Sequence, residues 1–127
     1  MKLILGGRKQ GKLAYVLAQN QIDRNDVCDG KACTLEEIPH TAVMNHLHLL
    51  IQRLMKAEKD PYEWIRQVYE KNHNIIWITD EIGCGIVPMN RFEREWRETT
   101  GRICCDLAQR SEQVERIFCG IPVVLKG

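Results

Sequence analysis

The stretch that decides the fold lies near the start of the chain and reads Lys2-Leu3-Ile4-Leu5-Gly6-Gly7-Arg8-Lys9-Gln10-Gly11-Lys12-Leu13. Its apolar first part stops at two glycines, which is typical of a buried strand entering a tight turn. From residue 12 to residue 20, Leu13, Val16 and Leu17 share one helical face. The sequence therefore predicts a strand, a glycine-rich turn and a helix in succession.

This turn matches the first seven positions of the phosphate-binding pattern G-x-x-x-x-G-K. Its glycines let backbone N–H groups curl around a phosphate, and the dipole of the following helix favours an anion. Lys12 would reach the β and γ phosphates. The eighth position normally supplies a Ser or Thr hydroxyl to Mg²⁺, but here it is Leu13, which cannot ligate a metal. We predict a nucleotide-binding set of Gly6, Gly7, Arg8, Lys9, Gln10, Gly11, Lys12 and Leu13, with an ordinary strand-to-helix turn as the alternative.

The rest of the chain alternates between helical and strand-like patterns, which favours an α/β fold with a largely parallel sheet. Apolar periodicity predicts helices over 44–58 and 91–115, the second including Val114, and a helix that begins at Asp60-Pro61 and ends near Asn72. β-branched and aromatic residues predict a strand over 74–82 and shorter strands over 117–119 and 123–125. The polar segment 21–31 is predicted to be a loop, and Thr34 to Glu37 a short turn cut by Pro39.

Length and composition point to one compact domain over residues 1–127. The chain is 44% hydrophobic and 28% charged, and its net charge of +1 does not favour nucleic acid as the main partner. It has no apolar run long enough for a membrane span, and its N-terminal apolar run is too short for a secretory signal, so we expect a cytoplasmic protein. The six cysteines form no C-x-x-C pair and are interpreted as reduced thiols, several in the core, with no metal site predicted.

A second set of motifs lies in the C-terminal half. Thr79-Asp80-Glu81-Ile82-Gly83-Cys84-Gly85-Ile86-Val87-Pro88 is followed by Arg91, Trp96-Arg97-Glu98, Gly101-Arg102 and Gly120-Ile121-Pro122. These motifs resemble those of the bifunctional adenosylcobinamide kinase / adenosylcobinamide-phosphate guanylyltransferase family. The resemblance covers residues 74–126 and a short block at 3–12, roughly half of the chain.

The resemblance implies a P-loop NTPase-like three-layer domain that assembles as a homo-oligomer, a trimer in the family. It implies GTP or ATP as the nucleotide and a corrinoid, adenosylcobinamide, as the phosphoryl acceptor. Family members then take GMP onto a histidine and pass it to the product. The catalytic residues would be Lys12 and Glu81, whereas Gly83, Gly85 and Pro88 would shape a loop. Arg91, Arg97 and Arg102 would contact phosphate or hold that loop, or else form an ordinary solvated helix face.

Two departures from the family pattern concern Mg²⁺. One is Leu13, and the other is Asn45, which aligns with an acidic residue that follows a strand in the family. This alignment makes 41–45 a short strand instead of the start of a helix. An alternative alignment places Thr34-Leu35-Glu36-Glu37 there and keeps a carboxylate. Without the usual anchors, Mg²⁺ would be held by the nucleotide, by water and by Glu81, Glu36 or Glu37.

A third departure is that the chain is shortened between about 21 and 42, where the family carries the histidine that accepts GMP. Segment 21–31 contains no histidine. We interpret His46 and His48 as structural or exposed, and Trp64, Trp77 and Trp96 as packing residues. The kinase reaction is therefore favoured over guanylyl transfer. The alternative is a non-catalytic relative that binds a nucleotide or a corrinoid.

Overall fold

In a computed structural model, which describes residues 1–8, 10–82 and 90–127, helices and strands alternate along the chain. The strands are β1 (Lys2–Gly6), β2 (Val27–Asp29), β3 (Val43–Asn45), β4 (Ile76–Asp80), β5 (Gln113–Phe118) and β6 (Ile121–Lys126). The helices are α1 (Lys12–Asn20), α2 (Leu47–Lys56), α3 (Pro61–Lys71) and α4 (Arg91–Arg110), with a single 3₁₀ turn at Arg24–Asp26.

The strands form one sheet in the order β2-β3-β4-β1-β5-β6. Neighbouring strands from β2 to β5 are parallel, and β6 pairs antiparallel with β5. β1 lies in the interior of the sheet, so the glycine-rich turn that follows it emerges at the edge where the other parallel strands also end. The predicted α/β fold with a largely parallel sheet is confirmed.

Helices cover both faces of this sheet and give three layers. On one face, Val16 of α1 packs with Ile4 and Ile78. On the other face, helices α2, α3 and α4 pack over Leu3 and Trp77. Burial of these apolar side chains is the main stabilising contribution, and it requires the sheet to be apolar on both sides.

The predicted start of the third helix is confirmed in detail. Asp60 is its N-cap, and the Asp60 carboxylate accepts hydrogen bonds from the backbone N–H groups of Tyr62 and Glu63. Pro61 occupies the first helical position, where a missing N–H group has no cost. The first helix also has the predicted bounds.

Helix α2 begins at Leu47, because the chain over Val43–Asn45 is strand β3. The strand expected from the family alignment is therefore confirmed, and the helix start expected at residue 44 from periodicity is wrong. Val43 and Leu47 have helical spacing, but both are fully buried for different reasons, one in the sheet and one in the helix.

Several further boundaries differ from those predicted. Segment 21–31 contains the 3₁₀ turn and β2, whose pairing with β3 leaves no apolar pattern in the sequence. Helix α4 ends at Arg110, because Ser111 adopts an extended backbone conformation, and Val114 lies in β5 instead of the helix. β5 and β6 are both longer than expected.

At Thr34 the hydroxyl accepts a hydrogen bond from the Glu36 N–H group, in a bend that is not helical.

Within the described part of the chain, no helix has both the length and the apolar character needed to cross a membrane.

Candidate functional site

A cavity of about 610 Å³ opens at the carboxyl edge of the sheet, where the turn after β1 and the ends of β3 and β4 meet. In open α/β sheets this edge is where ligands bind. The side chains that line the cavity come from the glycine-rich turn, α1, the β2–β3 region, α2, β4 and α4. They include Arg8, Gln10, Lys12, Leu13, Lys31, Asn45, His46, His48, Asp80 and Trp96.

Lys12 lines this cavity and is only 7% exposed. Its ammonium group donates to the carbonyl oxygen of Gly7 at 2.7 Å and lies 2.7 Å from Oδ1 of Asp80. A lysine at a helix N-terminus is opposed by the helix dipole, so the carboxylate of Asp80 offsets an unfavourable position. The side chain thus folds back over the turn, with its charge directed into the cavity region.

The glycine-rich turn is supported from the opposite side by the β5–β6 turn. The backbone N–H group of Cys119 donates to Oε1 of Gln10 at 2.6 Å, and that of Gly120 donates to the Gln10 carbonyl at 2.9 Å. Gly11 has a φ of 82°, a conformation that favours glycine, and it is the N-cap of α1. The position of the turn therefore depends on a hairpin about a hundred residues further along the chain.

Asp80 also contacts His48, a histidine that is only 5% exposed. His48 Nδ1 accepts a hydrogen bond from the Asp80 backbone N–H group at 3.2 Å, which places the ring proton on Nε2, 3.4 Å from Asp80 Oδ2. Burial lowers the pKa of His48, although the nearby Asp80 carboxylate acts in the opposite direction. At neutral pH a neutral histidine therefore orients the carboxylate. In the sequence, Asp80 lies within the family motif, but the carboxylate that was predicted to be catalytic is that of its neighbour Glu81.

A second acid–histidine pair lies at the rim. His46 Nδ1 is 2.7 Å from Oδ1 of Asp29, and His46 adopts a left-handed conformation with φ of 56° at the N-cap of α2. Burial acts to raise the pKa of Asp29, but hydrogen bonds from His46 and the Lys31 N–H group keep it below its ordinary value. The sequence did not reveal this pair, because it depends on the pairing of β2 with β3.

Two positions aligned with the family's Mg²⁺ anchors, Leu13 and Asn45, line the cavity. The candidate carboxylates Glu36 and Glu37 are exposed and lie outside the cavity lining. In the described ranges there is no group of three or more His, Cys, Asp or Glu residues able to hold a metal ion.

Glu81 lies apart from the cavity that contains Lys12. Its carboxylate is paired with Arg116 at 2.8 Å, and it lines a second cavity of about 380 Å³ between β4 and α4. Arg97 and Asp80 line the same second cavity. The structure therefore separates the two residues that were predicted to be catalytic, and Asp80 lines both cavities.

The remaining predicted site residues are dispersed. Gly6 ends β1, with its backbone packed against Ile117. Arg91 is exposed and paired with Glu95, and Arg102 lies with Arg97 along an open groove of α4. Trp96 packs as predicted and also lines the cavity that contains Lys12, where its indole N–H donates to the His48 carbonyl at 2.8 Å. The predictions for Lys9, Gly83, Gly85 and Pro88 lie outside the described residues.

One known protein family matches most of this chain. The model of the cobinamide kinase / cobinamide phosphate guanyltransferase family matches residues 15–125. The chain belongs to this family. The match begins after the glycine-rich turn, so the cobinamide kinase family assignment is independent of that motif.

Three curated relatives carry family names. The bifunctional adenosylcobalamin biosynthesis protein CobU of Escherichia coli is 32% identical over 86 residues, covering 55% of this chain and 48% of the relative. CobU of Salmonella typhimurium is 38% identical over 52 residues, covering 41% and 29%. The bifunctional adenosylcobalamin biosynthesis protein CobP of Pseudomonas aeruginosa is 34% identical over 53 residues, covering 42% and 31%. The matched part of this cobinamide kinase family member spans about half or less of the length of these relatives.

Proposed function

We propose that this protein binds GTP or ATP in the cavity at the carboxyl edge of the sheet and transfers the γ-phosphate to a hydroxyl group of a cobalamin precursor, adenosylcobinamide. The observation that carries the proposal is the position of Lys12, held between the Gly7 carbonyl and Asp80 at the N-terminus of α1. Family membership supports cobalamin biosynthesis as the setting.

The chain offers a positively charged receptor for the nucleotide phosphates. Backbone N–H groups of the glycine-rich turn and the N-terminus of α1 favour an anion, and Lys12 adds a full charge beside them. Arg8 and Lys31 line the same cavity. In phosphoryl transfer, positioning and electrostatic stabilisation supply most of the catalysis, so such a set of cations suits the reaction.

The residues present fit a Mg²⁺ ion that arrives with the nucleotide. Mg²⁺ is usually held by one or two carboxylates together with substrate phosphates. The cavity supplies the carboxylate of Asp80 and the amide of Asn45, from the neighbouring strands β4 and β3. Asp80 would therefore hold the ion in place of Glu81, Glu36 or Glu37. When bound, the ion neutralises charge that develops on the transferred phosphoryl group.

The test is a calorimetric titration with GTP and with ATP, each with and without Mg²⁺. We expect binding to the wild type, loss of binding in Lys12→Ala, and retention in Lys56→Ala, which removes an exposed lysine outside the cavity. Asp80→Asn should retain nucleotide binding but lose its enhancement by Mg²⁺. If neither nucleotide binds the wild type under any condition, the proposal is wrong.

A non-catalytic relative is distinguished by product formation. Mass spectrometry should detect phosphorylated cobinamide after incubation with the bound nucleotide and Mg²⁺. The double variant Leu13→Ser/Asn45→Asp restores the two usual metal anchors and should raise turnover of a kinase. Nucleotide binding without product in either protein would support the alternative of a binding module.

A second candidate function is nucleotidyl transfer through His46. The specific observation is the Asp29–His46 pair, because a carboxylate on Nδ1 fixes the imidazole and leaves Nε2 as the nucleophilic nitrogen. His46 also lines the cavity. His46 Nε2 would attack the α-phosphate of GTP and release pyrophosphate. Incubation with GTP should then add a GMP group to the wild type, detected by intact mass, and to a control with the exposed His73 replaced by Asn. The adduct should be absent from His46→Asn, and its persistence there would exclude His46.

A further inference from the structure

The turn that connects β2 to the following segment brings two cysteines together. Cys28 lies in β2, opposite Met44 of β3. After this strand the Asp29 carbonyl accepts hydrogen bonds from the N–H groups of Ala32 at 3.0 Å and Cys33 at 2.8 Å, which reverses the chain. Both cysteine side chains are half-buried against the same apolar cluster, five residues apart across this turn.

Arg53 of α2 fixes this turn and faces one of the two sulfur atoms. Its guanidinium donates to the Gly30 carbonyl at 2.9 Å and to the Cys33 carbonyl at 2.6 Å, and Nη1 lies 3.8 Å from Cys33 Sγ. A guanidinium group that is already anchored by two carbonyls stays beside the sulfur. It therefore stabilises a thiolate on Cys33.

The two thiols consequently differ in acidity. The neighbouring Cys28 and the Arg53 guanidinium lower the pKa of Cys33 to about 6, against the opposing effect of burial. The neighbouring Cys33 and burial raise the pKa of Cys28. At neutral pH the turn thus pairs a nucleophilic thiolate with a neighbouring thiol, which is the arrangement of a redox-reactive cysteine pair.

We propose that Cys28 and Cys33 form a dithiol site that reacts with small organic disulfides by thiol–disulfide exchange. The Cys33 thiolate attacks one sulfur of the disulfide RSSR, forming a Cys33–S–SR bond and releasing RS⁻, which takes a proton from solvent. Cys28 then loses its proton to solvent and attacks Cys33 Sγ, which breaks the bond to SR and releases the second RS⁻. The two protein thiols are oxidised to one disulfide, and RSSR is reduced to two RSH.

This site is separate from the nucleotide cavity but adjoins it through the turn. The residues between the two cysteines include Asp29, which holds His46, and Lys31, which lines the cavity. A disulfide between Cys28 and Cys33 would close a covalent ring around both residues. Oxidation would thereby fix the segment that supplies them.

The experiment uses the full chain, incubated at neutral pH with oxidised glutathione, quenched with acid and digested with trypsin without reduction. Cleavage after Arg24, Lys31 and Arg53 places the two cysteines in separate peptides, 25–31 and 32–53. We expect these peptides to be joined by a disulfide that dithiothreitol reverses. Cys33→Ser should abolish the link, and Cys28→Ser should stop at a glutathione adduct on Cys33. The matched control Cys105→Ser, which removes an exposed thiol, should form the link at the wild-type rate.

A second measurement tests the acidity independently of any disulfide. The rate of Cys33 alkylation by iodoacetamide should be half-maximal near pH 6, and Arg53→Gln should move this midpoint upward. Cys104, whose pKa burial raises to about 11, provides a slow internal comparison. Glutathione adducts confined to Cys105 and Cys119, or a Cys33 midpoint near its ordinary value of 9.0, would overturn the proposal. Neither readout requires a nucleotide, so the result is independent of the function proposed above.

Discussion

The two carboxylate oxygens of Asp80 face different partners. Oδ1 contacts the Lys12 ammonium, and Oδ2 lies near His48 Nε2. The carboxylate is 20% exposed, so water has access to it. A partly buried carboxylate that neutralises the charge of a lysine, and that a neutral histidine orients, is suited to exchange one cationic partner for another.

The lowered pKa of His48 predicts how stability changes with pH. A group whose pKa is lower in the folded state binds fewer protons there, so the free energy of unfolding rises with pH. For His48 the stability is complete above its ordinary pKa of 6.5 and is lost as the pH falls from there towards the lowered folded value. Asp29, whose pKa is also lowered, acts in a separate window, below its ordinary value of 3.8.

Urea unfolding of the wild type and His48→Gln across this range checks the prediction. The free energy of unfolding of the wild type should fall as the pH is lowered from 6.5. That of the His48→Gln variant should fall less over the same interval. His73→Gln, which replaces an exposed histidine, should follow the wild type. Identical pH profiles for wild type and His48→Gln would contradict this interpretation of the buried ring.

At the scale of elements, the contact between β1 and β5 positions the glycine-rich turn. A Cβ atom added at Gly6 would lie 2.5 Å from the carbonyl oxygen of Ile117, which is backbone and has no rotamer with which to yield. The close approach of the two strands therefore requires glycine at the point where the turn begins. In contrast, Gly101 lies within α4 with no neighbouring atom within 4 Å of an added Cβ.

These two glycines give a matched pair of substitutions. Gly6→Ala should destabilise the protein by about 1–3 kcal/mol, because the strands must separate to relieve the clash. Gly101→Ala should stabilise it by up to about 1 kcal/mol, because alanine has the higher helix propensity. Urea denaturation measures both changes. Equal effects of the two substitutions would show that the β1–β5 approach is not as close as described.

At the scale of the whole molecule, the β5–β6 hairpin presents apolar side chains to solvent. Phe118 and Ile121 are cross-strand neighbours that are 60% and 64% exposed, and Val124 and Leu125 are also more than half exposed. Contiguous exposed apolar residues of this size commonly mark a surface that contacts another protein. We predict that this hairpin lies in the interface of the trimer that the family resemblance implies.

Light scattering coupled to size-exclusion chromatography tests this expectation. The wild type should elute as a trimer, and Ile121→Lys should shift the mass towards the monomer, because a buried lysine without a partner is costly. Tyr62→Lys replaces an exposed side chain on α3, which is not part of the hairpin, and should leave the trimer intact. A monomeric wild type at all concentrations would exclude the trimer.

The sequence by itself determined the features that depend on neighbouring residues. The β1 strand, the glycine-rich turn and α1 follow from an apolar run, two glycines and a helical stripe within about twenty residues. The start of α3 follows from Asp60 and Pro61, since capping involves only the first helical turn. Predicted boundaries were wrong where the residues on both sides of a junction are apolar, as at Val114. Buried strands and buried helices both contain apolar residues, so their presence does not distinguish the two.

Only the tertiary structure decided which residues meet at the carboxyl edge of the sheet. Lys12 with Asp80, Asp29 with His46, and Arg53 with Cys33 are pairs whose members lie on different elements. Their proximity depends on the strand order and on parallel register, which bring the ends of strands distant in the chain to one place. Local patterns carry no information about that order. For this reason the sequence predicted Lys12 at the phosphate-binding turn, whereas the fold identified Asp80 as its partner.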